Sequence, residues 1–180
     1  MKQNIKIPIA ASVFILFMSL CTQRVYSDYV LPYPSYMPGN RFYRISKFVR
    51  LAKRWWCWGN IASLGYYLDL TDSEIVEAKT LYEYKQYLLA TDALKESNNA
   101  VQQIPLYLGQ GIKEGKDMSE IKARVIEAMK KHREVLESIQ KTTPVEFDWT
   151  PEKGKPTKLR IAINIEESIQ IRQNILQLIE

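Results

Sequence analysis

NIASLGYYLDLTDSEIVEAKTLYE, residues 60–83, is the stretch whose reading decides the fold. Ile61, Leu64, Leu68, Thr71, Ile75, Ala78 and Tyr82 follow one another at alternating steps of 3 and 4 residues. That is the rhythm of one face of an α-helix, and no strand carries it. Thr71-Asp72-Ser73-Glu74 has the layout of a capping box and could restart a helix. The spacing runs through it unbroken, so a single helix from Asn60 to Glu83 is expected.

The rhythm continues on both sides. Downstream, Tyr87, Ala90, Leu94, Ser97, Val101, Ile104 and Leu108 repeat it, but Tyr82 to Tyr87 is a step of five, which places a turn at Glu83-Tyr84-Lys85. Pro105 should kink or shorten this second helix, since proline removes a donor and clashes with the preceding turn. Asp117-Met118-Ser119-Glu120 reads as a helix start. Ile121, Val125, Met129, His132, Leu136 and Ile139 then line one face, and Thr142-Thr143-Pro144 ends the helix. A loop with Pro144, Pro151, Gly154 and Pro156 leads to a last helix stepping through Ile161, Ile165, Ser168, Ile171, Ile175 and Leu178. Residues 160–165 also alternate like a strand, but about twenty residues of helical spacing outweigh six of alternation.

Upstream, Phe42, Ile45, Val49, Ala52 and Trp56 mark a shorter helix carrying six cations, Arg41, Arg44, Lys47, Arg50, Lys53 and Arg54, with no acid among them. Gly59-Asn60 offers a turn. Before it, residues 28–40 hold Pro32, Pro34 and Pro38 among tyrosines, an extended segment and not a helix. The expected class is all-α: an antiparallel bundle of about four long helices, 41–180, with a shorter basic helix at its start.

Residues 1–27 have the layout of a secretory signal: Lys2 and Lys6, an apolar run over 7–21, then Val25 and Ser27 at a cleavable position. An uncleaved anchor needs about 20 apolar residues; the run is shorter and contains Pro8, so cleavage is favoured. Leu20 before Cys21 is a poor context for lipidation. Without Lys2, Lys6 and Arg24 the formal charge of +5 falls to about +2, and nucleic-acid binding loses its compositional support. Cys57 is then the one remaining thiol and can form no internal disulfide.

The order of several short motifs resembles an uncharacterised family of secreted bacterial helical proteins, a domain of unknown function. They are Leu31-Pro32-Tyr33-Pro34 with Pro38, then Phe42-Tyr43 and Lys47. Glu77-Ala78-Lys79-Thr80-Leu81 and Glu83-Tyr84-Lys85-Gln86-Tyr87 follow, and Lys131-His132-Arg133-Glu134-Val135-Leu136 comes late. The likeness spans about residues 30–175. Ser35 stands where the family usually has glycine, and Arg41 where proline often follows the turn. The resemblance implies an extracytoplasmic location and a helical shape, and it implies no activity.

Catalytic signatures are sparse. His132 is the only histidine, its own helix brings no second ligand or carboxylate beside it, and no cofactor or metal is expected. There is no nucleophile elbow and no phosphate-binding glycine fingerprint; Glu166-Glu167 reads as solvated surface. The chain is therefore expected to be no enzyme. The strongest contact candidate is the basic and tryptophan-rich segment: Arg41, Arg44, Lys47, Arg50, Lys53, Arg54, Trp55, Trp56 and Trp58. It suits a protein partner at the cell envelope or an anionic membrane surface. In the plainer alternative the helix packs its Phe and Trp face on the bundle and turns its charges to water. A chaperone-like use of apolar helix surface is a third expectation. A lone helical hairpin around 83–85 is also similar to a tetratricopeptide unit, though no repeat follows.

Overall fold

The long helix forms without a break: α2 runs Asn60–Glu83. Thr71 does not cap a new helix; its hydroxyl donates to the Tyr67 carbonyl at 2.7 Å, as Ser73 does to Asp69 at 2.8 Å. The computed structural model describes residues 29–34, 38 and 40–180, except the side chains of Arg44 and Trp56. The leader expected over 1–27 lies outside the described residues. Residues 29–34 form neither helix nor strand, and Leu31 packs against the core.

Ahead of α2 stands α1, Tyr43–Trp56, and after it come α3, Tyr87–Val101, and α4, Ile104–Lys113. Lys85 takes a left-handed conformation (φ 59°), and the amides of Lys85 and Gln86 bond back to Tyr82 and Leu81, which reverses the chain within three residues. Pro105 does more than kink the second helix. It lies in the first turn of α4, where its missing N–H costs nothing, and the ladder breaks at Gln102 and Gln103.

Helix α5, Ser119–Thr142, and helix α6, Ile161–Ile179, form the second hairpin. Between them the all-α expectation is corrected. Strands β1, Phe147–Trp149, and β2, Thr157–Leu159, pair antiparallel, with Phe147 opposite Leu159 and Trp149 opposite Thr157. Glu146 and Lys158 close the ladder as an ion pair at 2.6 Å. Trp149 and Leu159 cap the apolar core, and Phe147 packs its ring on Tyr87 at 4.8 Å. The hairpin turns back the chain end of α5 so that α6 can start at Ile161.

Residues Leu31–Glu180 form one compact unit. Within each hairpin the helices are antiparallel, as short connections require: Tyr82 meets Thr91 while Thr71 meets Ser97, and Gln140 meets Glu166. Between hairpins the neighbours run the same way. Asp69 pairs with Arg124 and Asp72 with His132. Further along, Tyr82 and Glu83 line a cavity of about 280 Å³ with Ser138 and Thr142. Helix α3 likewise runs beside α6, through Asn98–Ser168 and Ser97–Arg172. Two helical hairpins thus stack with matching directions, and the expectation of antiparallel neighbours holds only inside each.

The apolar core sits toward the turn end: Ile75, Ala78 and Leu81 of α2, Ala90 and Leu94 of α3, Leu136 and Ile139 of α5, Ile161 and Ile165 of α6. The spacing read from sequence names most of these seams correctly, with exceptions on α2, where Ile61 is exposed, and on α6. On α6 the buried positions after Ser168 are Ile169, Arg172, Ile175, Leu176 and Ile179, whereas Ile171 is only half-buried and Leu178 is exposed. An arginine occupies the seam.

Candidate functional site

Asn40 starts α1: its side-chain oxygen accepts from the Phe42 amide at 2.9 Å and its carbonyl from Tyr43 at 3.0 Å. Lys53 and Arg54 in the last turn suit the negative end of the helix dipole. Cys57 then turns extended, and Gly59 at φ 87° takes a conformation that other residues adopt only under strain before α2 begins.

One face of α1, at helical spacing, is Tyr43, Lys47, Arg50 and Arg54. This polar face meets the bundle. Tyr43 donates to Glu77 at 2.7 Å, and Lys47 sits over the Tyr43 ring at 5.2 Å. Arg50 spans two buried glutamates, with Nη1 3.1 Å from Glu74 and Nη2 3.3 Å from Glu77. Burial pushes the Glu74 carboxyl up to about 7, with Glu77 adding to the rise and Arg50 opposing it. Arg54 lies over Tyr67 and Tyr107, 5.1 and 5.7 Å from their ring centres, and donates to the Tyr107 hydroxyl at 2.9 Å. Those two rings are themselves stacked at 5.3 Å.

The opposite face is apolar and faces away from the bundle. Phe42, Ile45, Val49 and Leu51 are exposed, Phe48 is 71% exposed, Trp55 79% and Trp58 84%. The Trp58 indole N–H donates to the Trp55 carbonyl at 2.7 Å, which ties the second ring to the helix end. The expected plain arrangement, aromatic face in and charges out, is thereby reversed for the side chains described. Arg41, Lys47 and Lys53 are exposed; Arg50 and Arg54 are committed to the bundle. The side chains of Arg44 and Trp56 lie outside the described residues.

Because long polar side chains hold α1 off α2, a groove of about 360 Å³ remains between them. Its lining includes Arg50, Lys53 and Cys57 on one side and Gly65, Tyr66 and Asp69 on the other. Cys57 is a free, half-buried thiol.

His132 does have a carboxylate partner, but from another helix. Its Nε2 lies 2.7 Å from Asp72 Oδ1, and the ring is fully buried. Burial and the nearby Arg172 hold the imidazole below its ordinary pKa, against the pull of Asp72. Arg172, also fully buried, donates to Ser97 Oγ and Asn98 Oδ1, each at 2.7 Å, and to the Ser168 carbonyl at 3.0 Å. Burial brings its guanidinium down to about 9, with Asp72 opposing the fall. The histidine pairs with the acid, while Ser97 and the Ser168 carbonyl accept from Arg172. The histidine is sealed from solvent, and it lines neither the groove beside α1 nor the cavity at the turn end. Among the described residues, no three histidine, cysteine or acidic side chains cluster to hold a metal ion, and no helix is long and apolar enough to cross a membrane.

Glu74, Glu77, Tyr67, Tyr107, Asp72 and Arg172 were not expected as site residues from sequence, where Asp72 and Glu74 read only as part of a capping box and Glu77 as part of a motif. Asp72, Glu74 and Glu77 did carry a signal, being acids crowded into the most regular apolar helix of the chain. Compared with known protein families, characterised proteins and solved structures, the chain matches none.

Proposed function

We propose that the protein is a non-enzymatic, extracytoplasmic protein that works by contact at the cell envelope, with the outer face of α1 as its docking element. The observation that carries this is the orientation of α1. Its polar side is used up on Glu74, Glu77, Tyr67 and Tyr107, and its aromatic side is left open. Soluble domains seldom leave a contiguous apolar stripe open without a use for it. The signal-like layout of residues 1–27 and the resemblance to a secreted family support the location.

The test is thiol protection in the intact host. Leu51 is exposed, so Leu51→Cys, in a background with Cys21 and Cys57 replaced by serine, reports on that face. A membrane-impermeant thiol reagent should label it slowly in intact envelopes and rapidly in the purified protein. Equal rates would refute docking by this face. Labelling only after the inner membrane is broken would refute the location.

A further inference from the structure

We infer that the surface α1 docks on is the headgroup region of an anionic lipid bilayer, with Phe48, Leu51, Trp55 and Trp58 inserted and the bundle carried on the far side of the helix. This rests on the contact reading above and names its partner.

Shape favours lipid over a second copy of the chain. Fourteen residues rise about 21 Å, so a ridge one helix wide offers a footprint of roughly 200 Å². A stable protein interface takes about 800 Å² from each partner. Two such ridges side by side fall well short, whereas a fluid interface moulds to a single convex ridge. Composition agrees. Tryptophan and phenylalanine on one face of a lysine- and arginine-rich helix is the make-up of helices that lie in a membrane interface. Residues 41–58 hold no acid to repel anionic lipid, and Arg41 and Lys53 remain exposed beside the apolar stripe.

The docked arrangement also sets the salt dependence. A cation near an anionic surface contributes about fivefold in binding, and salt screens that contribution. Six free cations would make binding on the order of ten-thousandfold salt-sensitive. With Arg50 and Arg54 held by the bundle, at most four of the six cations can contribute, which limits it to roughly five-hundredfold.

The experiment uses the full chain and vesicles of phosphatidylglycerol brominated on the acyl chains, with phosphatidylcholine vesicles as the neutral control. Three of the four tryptophans, Trp55, Trp56 and Trp58, belong to this segment, so quenching by bromine reports its depth even if residues 7–21 also hold the protein to the vesicle. Quenching on the anionic vesicles is expected, at least tenfold reduced in apparent affinity by Phe48→Glu with Leu51→Glu. Helicity should be unchanged, because both side chains are exposed. No quenching, or equal quenching in the variant, overturns the inference. If quenching is absent while Leu51→Cys is still protected in intact envelopes, the partner is a protein, and the contact reading stands without the lipid.

Discussion

Arg172 stands where apolar spacing expects Ile171, and that single displacement reveals the second layer of the molecule. The guanidinium bridges Ser97 and Asn98 of α3 to the α6 backbone, while Asp72 of α2 faces His132 of α5. His132 Nδ1 and Arg172 Nε are buried with no hydrogen-bond partner, so the network is only partly satisfied and costs stability relative to an apolar seam. Removing one member of such a network strands the others. Arg172→Met should therefore cost about 3–5 kcal/mol, read from denaturant unfolding, and Asp72→Leu with His132→Phe added should recover most of it. No recovery would mean that the ionic network itself stabilises the fold. Glu74 gives a test with pH. Its folded pKa of about 7 lies above its ordinary 4.5, so the folded state holds the extra proton and this group's penalty disappears as pH falls from about 7 toward 4.5. His132 acts oppositely: its lowered pKa preserves stability above its ordinary 6.5 and loses it as pH falls further. Glu74→Gln should thus be more stable than the parent at pH 8, by no more than about 3 kcal/mol, and equal to it near pH 5. A constant difference across that range would contradict the assignment.

Helices were legible in the chain wherever the 3,4 rhythm was long. α2, α3 and α5 lie where Leu68, Leu94 and Leu136 place them, and the turn at Lys85 follows from the five-residue step. The β-hairpin was not legible, because three-residue strands give too little alternation to compete; Val145-Glu146-Phe147-Asp148-Trp149 and the prolines around Gly154 were its only trace. The site was legible as a segment but not as an orientation. Periodicity shows that α1 has an apolar face and a basic face, and says nothing about which one a neighbour wants. That was decided by Glu74 and Glu77, two acids on a different helix. If α1 is held chiefly by Arg50 and Arg54, the double variant Arg50→Ala/Arg54→Ala should raise amide exchange across 43–56 at least tenfold and leave α5 and α6 protected. Loss of protection in all helices would show that α1 is integral to the core.

At the scale of the whole molecule, two helical hairpins stack in matching directions, seal a polar layer between them, and carry α1 on the outer side of α2 with its aromatic side turned away. The proposed docking role rests on that outward face, which is open, whereas His132 and Arg172 are fully buried. The orientation of α1 is therefore the claim on which everything else depends, and hydroxyl-radical footprinting of the purified chain reads it directly. Tyr33, 97% exposed, sets the rate for open side chains, and Tyr82, 3% exposed, the rate for buried ones. Phe48, Trp55 and Trp58 should be modified at rates close to the open reference once corrected for ring reactivity. Protection of Phe48 and Trp55 at the level of Tyr82 would mean that α1 docks by its aromatic face, and would remove the basis for a docking surface there.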